Sequence, residues 1–367
     1  MNGDFNYYCG TCKKQYPWDT LEFKCSCGGL FQVSHDATFD SSLIESSTPS
    51  LLRYLHAFPK VIREHMTAIS LGEGWTGAVA RSCEEPNVIV KMDHMMPTLS
   101  FKDRGAIVLV ALARAIGVDR IVQDSSGNAG HAVATYAARA GIACEIFVPE
   151  DCSPKKIAMI EATGGKANVI KGSREDTADA TLQAASQPGT YYASHVYNPL
   201  FYEGTRTYAF EIFEQLGRLP EQMIVPLGNG TLVFGVAKAV KELVDSGQAK
   251  DNCRIIAVQA ENCAPIHKAF QSGASTVEQV ENLGTAAEGI AIARPLRGDE
   301  ALAAINKSGG EVWVSNEDDL SPTLSRMRRL GFDIEPTTAA TFAAFDSHTD
   351  KTTDLVVLPC CGSGTKK

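Results

Sequence analysis

A lysine stands in a segment that suits nucleophilic chemistry, within residues 100–105 (SFKDRG). Ser100 is a favourable helix N-cap, and Asp103 follows three positions later, close to a capping box, before an apolar helical run. Lys102 is therefore expected in the first turn of a helix, where the peptide dipoles are positive. That dipole, desolvation and Arg104 would favour the neutral amine, a nucleophile able to form a Schiff base. The alternative is an exposed charge on an amphipathic helix.

Three further segments join glycine to small polar side chains. Residues 125–130 (SSGNAG) follow one apolar run and open a helical one, and residues 228–231 (GNGT) do the same further on. Glycines let the backbone approach a ligand closely, and free N–H groups at a helix start favour an anion. The second loop has the composition of a phosphate cradle but lacks the Lys-Ser/Thr of a Walker loop. Either loop could instead be an ordinary turn. Residues 360–364 (CCGSG) end the last apolar run.

Four cysteines near the N-terminus have the spacing of metal ligands. Cys9 and Cys12 form a C-x2-C pair, and Cys25 and Cys27 form a C-x-C pair, with twelve residues between the pairs. Four thiolates at this spacing suit a tetrahedral zinc site, which would stabilise a short ribbon that has few apolar residues. The shorter second pair weakens the geometry, so a ribbon with free thiols is the alternative.

Composition limits the classes of protein to which the chain can belong. Its 367 residues are enough for two or three domains, and 44% hydrophobic with 21% charged residues is typical of globular proteins. A net charge of −9 argues against nucleic acid as a main partner. No apolar stretch is long enough for a bilayer, so no membrane partner is expected, and the N-terminus lacks signal-peptide features. Eleven cysteines, an odd number, favour the reducing cytoplasm over a disulfide scaffold.

These segments must be positioned by parallel β-sheets. From about residue 88, short apolar strands alternate with amphipathic helices, which predicts an α/β fold whose parallel sheets are covered on both faces. Open parallel sheets bind ligands at the carboxyl ends of their strands. Each of the three glycine-containing segments follows a predicted strand, so we expect them to form one site. The pattern predicts strands over 120–123, 223–227 and 354–358, and helices over 128–140, 203–216 and 232–244.

Residues 100–105 resemble the pyridoxal-phosphate lysine motif of threonine synthases, and motifs of the same group follow in the same order. Residues 71–76, 203–207, 287–290 and 335–340 match that group more loosely. These enzymes are fold-type II pyridoxal-phosphate enzymes, alongside the serine and threonine dehydratases and cysteine synthase. The resemblance implies an α/β chain with two open parallel-sheet domains of the tryptophan synthase beta-like kind.

The resemblance also implies how the chain is divided. A small Cys-rich ribbon covers residues 1–38, and a large cofactor-binding domain covers residues 39–102 and 215–367. A smaller mobile domain covers residues 103–214. Relatives of this fold are commonly dimers, so a homodimer is expected.

Roles for individual residues follow from the resemblance. Lys102 holds pyridoxal 5′-phosphate, and Asn128 contacts the 3′-oxygen of its ring. Cys361 meets the pyridine nitrogen, or Ser363 does so in a register two residues later. A neutral thiol or hydroxyl leaves that nitrogen largely unprotonated, which restrains side chemistry. Taken alone, Cys361 could be a small buried hydrophobe. The residues that bind the cofactor's phosphate are Gly228, Asn229, Gly230 and Thr231. The residues that bind the amino-acid substrate are Ser100, Arg104, Ser125, Ser126 and Gly127.

The implied activity is that of a carbon–oxygen lyase of amino-acid biosynthesis, which converts O-phospho-L-homoserine and water to L-threonine and phosphate. Three departures concern the substrate: Phe201 replaces an arginine, Leu99 replaces a glycine, and residues 361–364 lack a histidine. Positive charge for the substrate's phosphate could still come from Arg104, Lys155, Lys156 and Arg206.

Other functions stay open. One alternative is a serine or threonine ammonia-lyase, or another β-elimination or β-replacement enzyme on a related amino acid. Alternatives of a different class are a catalytically idle regulator and a zinc-ribbon interaction protein.

Overall fold

The computed structural model describes residues 4–172, 174–250, 252–348 and 354–366. In chain order, the strands are β1 Phe5–Cys9, β2 Gln15–Pro17, β3 Phe31–His35, β4 Ala78–Ala80, β5 Val88–Lys91, β6 Arg120–Gln123, β7 Ala143–Pro149, β8 Lys166–Ile170, β9 Thr190–Tyr192, β10 Gln222–Pro226, β11 Arg254–Ala260, β12 Glu311–Ser315 and β13 Val356–Pro359. The α-helices are α1 Lys60–Ile69, α2 Asp103–Ile116, α3 Asn128–Ala140, α4 Pro154–Glu161, α5 Arg174–Ala185, α6 Leu200–Thr205, α7 Thr207–Leu216, α8 Thr231–Asp245, α9 Pro265–Ser272, α10 Gly298–Lys307, α11 Leu320–Arg329 and α12 Pro336–His348. Within these residues, no helix combines the length and the hydrophobicity needed to cross a bilayer.

The chain divides into two compact units, and the first comprises Met1–Glu73 and Lys102–Gly204. Its main sheet has the order β8-β7-β6-β9 with parallel pairing throughout. Helices α1, α2 and α3 pack against one another, and nearly the whole of α2 is buried. An antiparallel ribbon of order β2-β1-β3 forms the N-terminal part of this unit. Residues 39–73 belong to this unit as well.

The second unit comprises Gly74–Phe101 and Thr205–Lys367. Its sheet has the order β12-β11-β10-β13-β5-β4, in which β4 pairs antiparallel at one edge and the other strands are parallel. The central strands β10 and β13 are buried along their whole length. Apolar side chains from these strands and from α12 form a common core. Strands buried on both faces explain why the sequence shows continuous apolar runs rather than alternation.

The predicted alternation of strands and helices, and the parallel sheets built from it, are confirmed. The helix predicted over 128–140 has these bounds in the structure. The single helix predicted over 203–216 is instead two helices, α6 and α7, with Arg206 between them. The segment near 51–58 forms a 3-10 helix, Leu51–Ala57.

The prediction that Ser100 caps α2 is wrong. The helix begins at Asp103, and Lys102 occupies the N-cap position without a side-chain capping bond. Ser100 instead forms an isolated antiparallel bridge with Gly362, and the Phe101 N–H donates to the Cys361 carbonyl at 2.9 Å. These backbone bonds hold residues 100 and 101 against residues 361 and 362, just beyond the last strand, so the helix starts only after them.

Candidate active site

Lys102 lies at the start of a buried helix, beside an aromatic ring. Its backbone is already helical (φ −63°, ψ −22°), although it precedes the first residue of α2. Its side chain is half-buried, and its Nζ lies 5.5 Å from the centroid of the Phe201 ring. Gly105 makes this packing possible, because a Cβ at that position would lie 2.5 Å from the same ring. The ammonium therefore lies against an apolar aromatic surface, a contact that also has a cation–π component.

The loop containing Ser125, Ser126 and Gly127 lies at the carboxyl end of β6. The buried Gln123, the last residue of β6, accepts a hydrogen bond from the Ser125 N–H at 2.8 Å. Helix α3 begins directly afterwards at Asn128, and its N-cap Gly127 supplies no side-chain capping bond. The first N–H groups of a helix lack intrahelical partners. The start of α3 is therefore the kind of helix N-terminus that suits an anion.

His195 follows strand β9, which is the neighbour of β6 in the parallel sheet. Its ring lies 5.8 Å from that of Phe201, centroid to centroid, in an edge-to-face arrangement. Burial first, and the positive charge of Lys102 second, hold the pKa of His195 well below its usual range. The imidazole is therefore neutral near pH 7.

In the second unit, the glycine loop follows β10 and opens a long helix. Gly230 has φ +80°, a conformation that glycine adopts without strain. Helix α8 begins at the next residue, Thr231, and receives no side-chain capping bond at its N-terminus. A Cβ at Gly228 would lie 2.7 Å from the Gly289 carbonyl oxygen, so residues 287–290 pack directly on this loop. The positive end of this fifteen-residue helix is suited to an anion such as a phosphate.

Cys361 and Ser363 lie just beyond the end of β13, the strand next to β10. Cys361 is completely buried, and its N–H donates to the Thr338 hydroxyl at 3.0 Å. The Ser363 hydroxyl is engaged with that of Thr365 at 2.8 Å. The sheet order therefore places Cys361 and the glycine loop at the same edge of this sheet.

The four N-terminal cysteines converge on one point. The sulfur atoms of Cys9, Cys12, Cys25 and Cys27 all lie within 4.8 Å of one another. The sulfur pairs Cys9–Cys27 and Cys12–Cys25 are each separated by 3.5 Å. Tetrahedral zinc with bonds of about 2.3 Å requires sulfur separations of about 3.8 Å. The C-x-C pair thus reaches the same centre as the C-x2-C pair, and the donor set fits zinc.

The four cations considered for a second phosphate have different surroundings. Arg104 is completely buried inside the first turn of α2. Arg206 is also buried, and its guanidinium donates to the Glu242 carboxylate at 2.7 Å. On α4, Lys155 is exposed and Lys156 is half-buried.

Two polar residues near the site were missed by the sequence analysis. Gln123 ends β6 after the buried Ile121 and Val122, and His195 follows β9, which is buried along its whole length. A polar residue at the carboxyl end of a buried strand was the available signal for both, because ligands bind at that edge of a parallel sheet.

Comparisons with known proteins give the following similarities. A family model described as "Pyridoxal-phosphate dependent enzyme" matches residues 69–362. Threonine synthase of Methanocaldococcus jannaschii is 30% identical over 348 residues, which cover 91% of this chain and 85% of that protein. Threonine synthase of Methanosarcina acetivorans is 31% identical over 358 residues, which cover 94% of this chain and 87% of that protein. Maize serine racemase has a similar fold, with a TM-score of 0.71 at 21% identity, over 83% of this chain and 92% of that one.

Proposed function

This chain belongs to the threonine synthase-like family of fold-type II pyridoxal-phosphate dependent enzymes, and we propose that Lys102 is the residue that holds the cofactor. The N-terminus of α8, preceded by Gly230 at positive φ, is suited to the cofactor's phosphate group. Gly228, Asn229 and Thr231 complete that loop. Asn128 is proposed to contact the ring, and Cys361 rather than Ser363 its nitrogen, since the Ser363 hydroxyl already pairs with Thr365.

Bound pyridoxal phosphate would supply an electron sink for the substrate's α-carbon. The chain's own groups would bind and orient the amino acid. The loop of Ser125, Ser126 and Gly127 is proposed to hold the substrate carboxylate with its hydroxyls and with the N–H groups of Ser126 and Gly127, since the Ser125 N–H already donates to Gln123. The Lys102 amine would take and return the proton at the substrate's α-carbon. The buried Ser100 hydroxyl, which has no hydrogen-bond partner among the described residues, is a further proposed substrate contact.

The first candidate reaction is the conversion of O-phospho-L-homoserine and water to L-threonine and phosphate. The observation that carries it is the identity of 30% and 31% to two proteins named threonine synthase, over most of each chain. Arg104, a buried cation in the first turn of α2, is the proposed source of positive charge for the substrate.

A second candidate, a serine or threonine ammonia-lyase, is favoured by the surroundings of Lys102. Phe201, not an arginine, contacts the lysine amine. The charge of Arg206 is offset by Glu242. An uncharged substrate side chain needs neither cation, whereas a phosphate ester is best held by guanidinium groups.

Two assays on the cofactor-loaded enzyme separate these functions. Phosphate release from O-phospho-L-homoserine supports the first candidate, and 2-oxo acid release from serine or threonine supports the second. Lys102→Ala is expected to abolish the visible absorption of lysine-bound cofactor as well as both activities. Lys268→Ala, at an exposed lysine on α9, is the control. An unchanged absorption band in Lys102→Ala would contradict the proposal.

We also propose that Cys9, Cys12, Cys25 and Cys27 bind one zinc ion, and that the chain forms a homodimer. Metal analysis of the purified protein tests the first statement, with Cys12→Ser expected to lose the ion and Cys83→Ser, an exposed cysteine elsewhere, to keep it. Sedimentation velocity tests the second.

A further inference from the structure

His195 occupies a place in the sheet where a substrate contact is expected. Strand β9 pairs parallel with β6, with Tyr192 opposite Val122. The pairing continues one residue further, because the Ala193 N–H donates to the Val122 carbonyl at 3.0 Å. The chains then leave the two strands at the same edge. One leads to the Ser125 loop and the other to His195, so both lie where parallel sheets bind ligands.

The imidazole of His195 carries a polar atom that the described chain does not satisfy. Its Nδ1 is buried and has no hydrogen-bond partner within the described residues. Buried polar groups are normally paired, and an unpaired one weakens the fold. Such an atom is tolerated at functional sites, where a ligand completes its bonding. Phe201 holds the ring in place and also contacts the Lys102 amine, so His195 and Lys102 share one neighbour.

The charge state of His195 narrows the kind of group that it can bind. A neutral imidazole has one nitrogen that donates a hydrogen bond and one that accepts. A hydroxyl or a water molecule also donates and accepts, whereas a phosphate ester or a carboxylate mainly accepts. Burial and the neighbouring Lys102 both disfavour the imidazolium. A hydroxyl or water can bond the buried Nδ1 in either tautomer, whereas an anionic oxygen needs the tautomer that carries the proton there, so an uncharged oxygen is the better match.

We propose that His195 is a substrate-positioning residue, whose imidazole hydrogen-bonds the oxygen on the β-carbon of an amino acid bound at Lys102. The proposal rests on the proposed function, since it takes Lys102 as the reacting amine. In an ammonia-lyase this oxygen belongs to the leaving hydroxyl. In a threonine synthase it belongs to the water that becomes the hydroxyl of threonine. The ligand class is thus a β-hydroxy amino acid, as substrate or as product.

The test uses two amino acids that lack an α-proton and so cannot undergo elimination. α-Methylserine carries the β-hydroxyl, and 2-aminoisobutyrate is the same molecule without it. Dissociation constants are measured from the change in cofactor absorption of the loaded enzyme. Wild type is expected to bind α-methylserine about tenfold more tightly than 2-aminoisobutyrate. His195→Phe should remove this preference, and His195→Gln, whose amide also donates and accepts, should retain part of it.

His65→Phe is the matched control. His65 also has a buried Nδ1 without a partner among the described residues, but it lies on α1 and its imidazole interacts with Arg114 in the last turn of α2. This variant should keep the hydroxyl preference. Thermal unfolding of the cofactor-free proteins gives a second readout. His195→Phe removes an unpaired buried nitrogen, so its unfolding midpoint should equal or exceed that of wild type.

The outcomes separate this inference from the function on which it rests. If wild type shows no absorption band that depends on Lys102, the proposed function itself is wrong. If the band forms and His195→Phe keeps the wild-type preference for the hydroxyl, only the role of His195 is overturned. A purely structural role would appear as a lowered unfolding midpoint with an unchanged preference, and this result also overturns the inference.

Discussion

Leu99 adopts a backbone conformation that leucine rarely occupies. Its φ is +59°, in the left-handed region, and it lies three residues before Lys102. For a residue with a Cβ this conformation costs about 1–2 kcal/mol, a cost that glycine avoids. We expect Leu99→Gly to lower the free energy of unfolding by less than the same change does at an exposed leucine with ordinary φ. The difference between the two losses should be at least about 1 kcal/mol.

Leu283→Gly provides that reference, because Leu283 is exposed and is not among the residues with positive φ. Urea unfolding of the two variants gives the comparison. Equal losses of unfolding free energy at both positions would show that Leu99 stores no strain.

His195 should also contribute to the pH dependence of stability. Its pKa is lowered in the folded chain, by burial and then by Lys102, so below the ordinary value of about 6.5 the unfolded chain binds more protons. The unfolding free energy therefore rises with pH in that range, and this contribution is complete above about pH 6.5 and lost as pH falls.

His195→Gln should make the free energy of unfolding depend less steeply on pH below pH 6.5. The reduction is at most about 1.4 kcal/mol per pH unit, the value for one proton. The slope should not vanish, because burial also lowers the pKa of His65 and of His94. Unfolding curves measured at several pH values from 5 to 8 provide the check, and parallel profiles for wild type and variant would refute the expectation.

At the scale of elements, helix α3 packs so closely on the loop before it that position 130 has no room for a side chain. A Cβ at this position would lie 1.7 Å from the Ser125 carbonyl oxygen, which is backbone and cannot move aside without the loop. At Gly127, in the same loop, an added Cβ would have open space, since it would meet only the Ser125 Oγ at 3.9 Å. We expect Gly130→Ala to cost about 2–3 kcal/mol or more, and Gly127→Ala less than about 1 kcal/mol. Chemical denaturation tests this, and similar losses would contradict it.

A buried ion pair joins strand β5 to helix α7. Lys91 Nζ lies 2.7 Å from Glu211 Oε2, and both side chains are fully buried. The ammonium also donates to the Thr76 carbonyl at 2.6 Å. Removing one charge of such a pair leaves the other buried without a counter-charge. Glu211→Gln should therefore lower the free energy of unfolding by about 3–5 kcal/mol.

The exposed pair of Lys241 and Asp245 on α8 provides the contrast. Asp245→Asn should cost less than about 1 kcal/mol, because water solvates both partners. Denaturant unfolding measures both losses of free energy. Equal losses for Glu211→Gln and Asp245→Asn would contradict the expectation that burial sets the cost.

At the scale of the molecule, aromatic and polar side chains of the N-terminal ribbon contact the rest of the first unit. The Tyr7 hydroxyl donates to Asn198 Oδ1 at 3.3 Å, and His35 lies 3.0 Å from the Glu203 carboxylate. Phe23 packs edge-on against Tyr192 and Tyr197. Asn198 and Glu203 flank Phe201 in the chain, so the ribbon supports the segment that contacts Lys102.

If zinc orders the ribbon, its removal should loosen these contacts. We expect Cys25→Ser to lower the unfolding midpoint and to weaken the near-ultraviolet circular dichroism of the packed tyrosines. Cys83→Ser, at an exposed cysteine in the second unit, should change neither. An unaltered tyrosine signal in Cys25→Ser would show that the ribbon packs without its metal site.

Much of the architecture was accessible from local patterns. Apolar runs separated by glycine-containing turns predict strands followed by helices, because hydrophobic periodicity and turn chemistry act within a few residues. For the same reason the loops around Asn128 and Gly230, and the spacing of the four cysteines, were recognisable. The start of α2 was misassigned, since Ser100 bonds to a residue near the other end of the chain.

The neighbours of Lys102 were not accessible in this way. Phe201 and His195 lie near it in the folded chain, although both are far from it in sequence. The charge of Arg206 is offset by Glu242, on another helix. Both facts depend on the order of strands and the packing of helices, which join residues far apart in the chain. Hydrophobic periodicity sets which face of an element is buried but not which element covers it, so these contacts emerge only when the chain is folded.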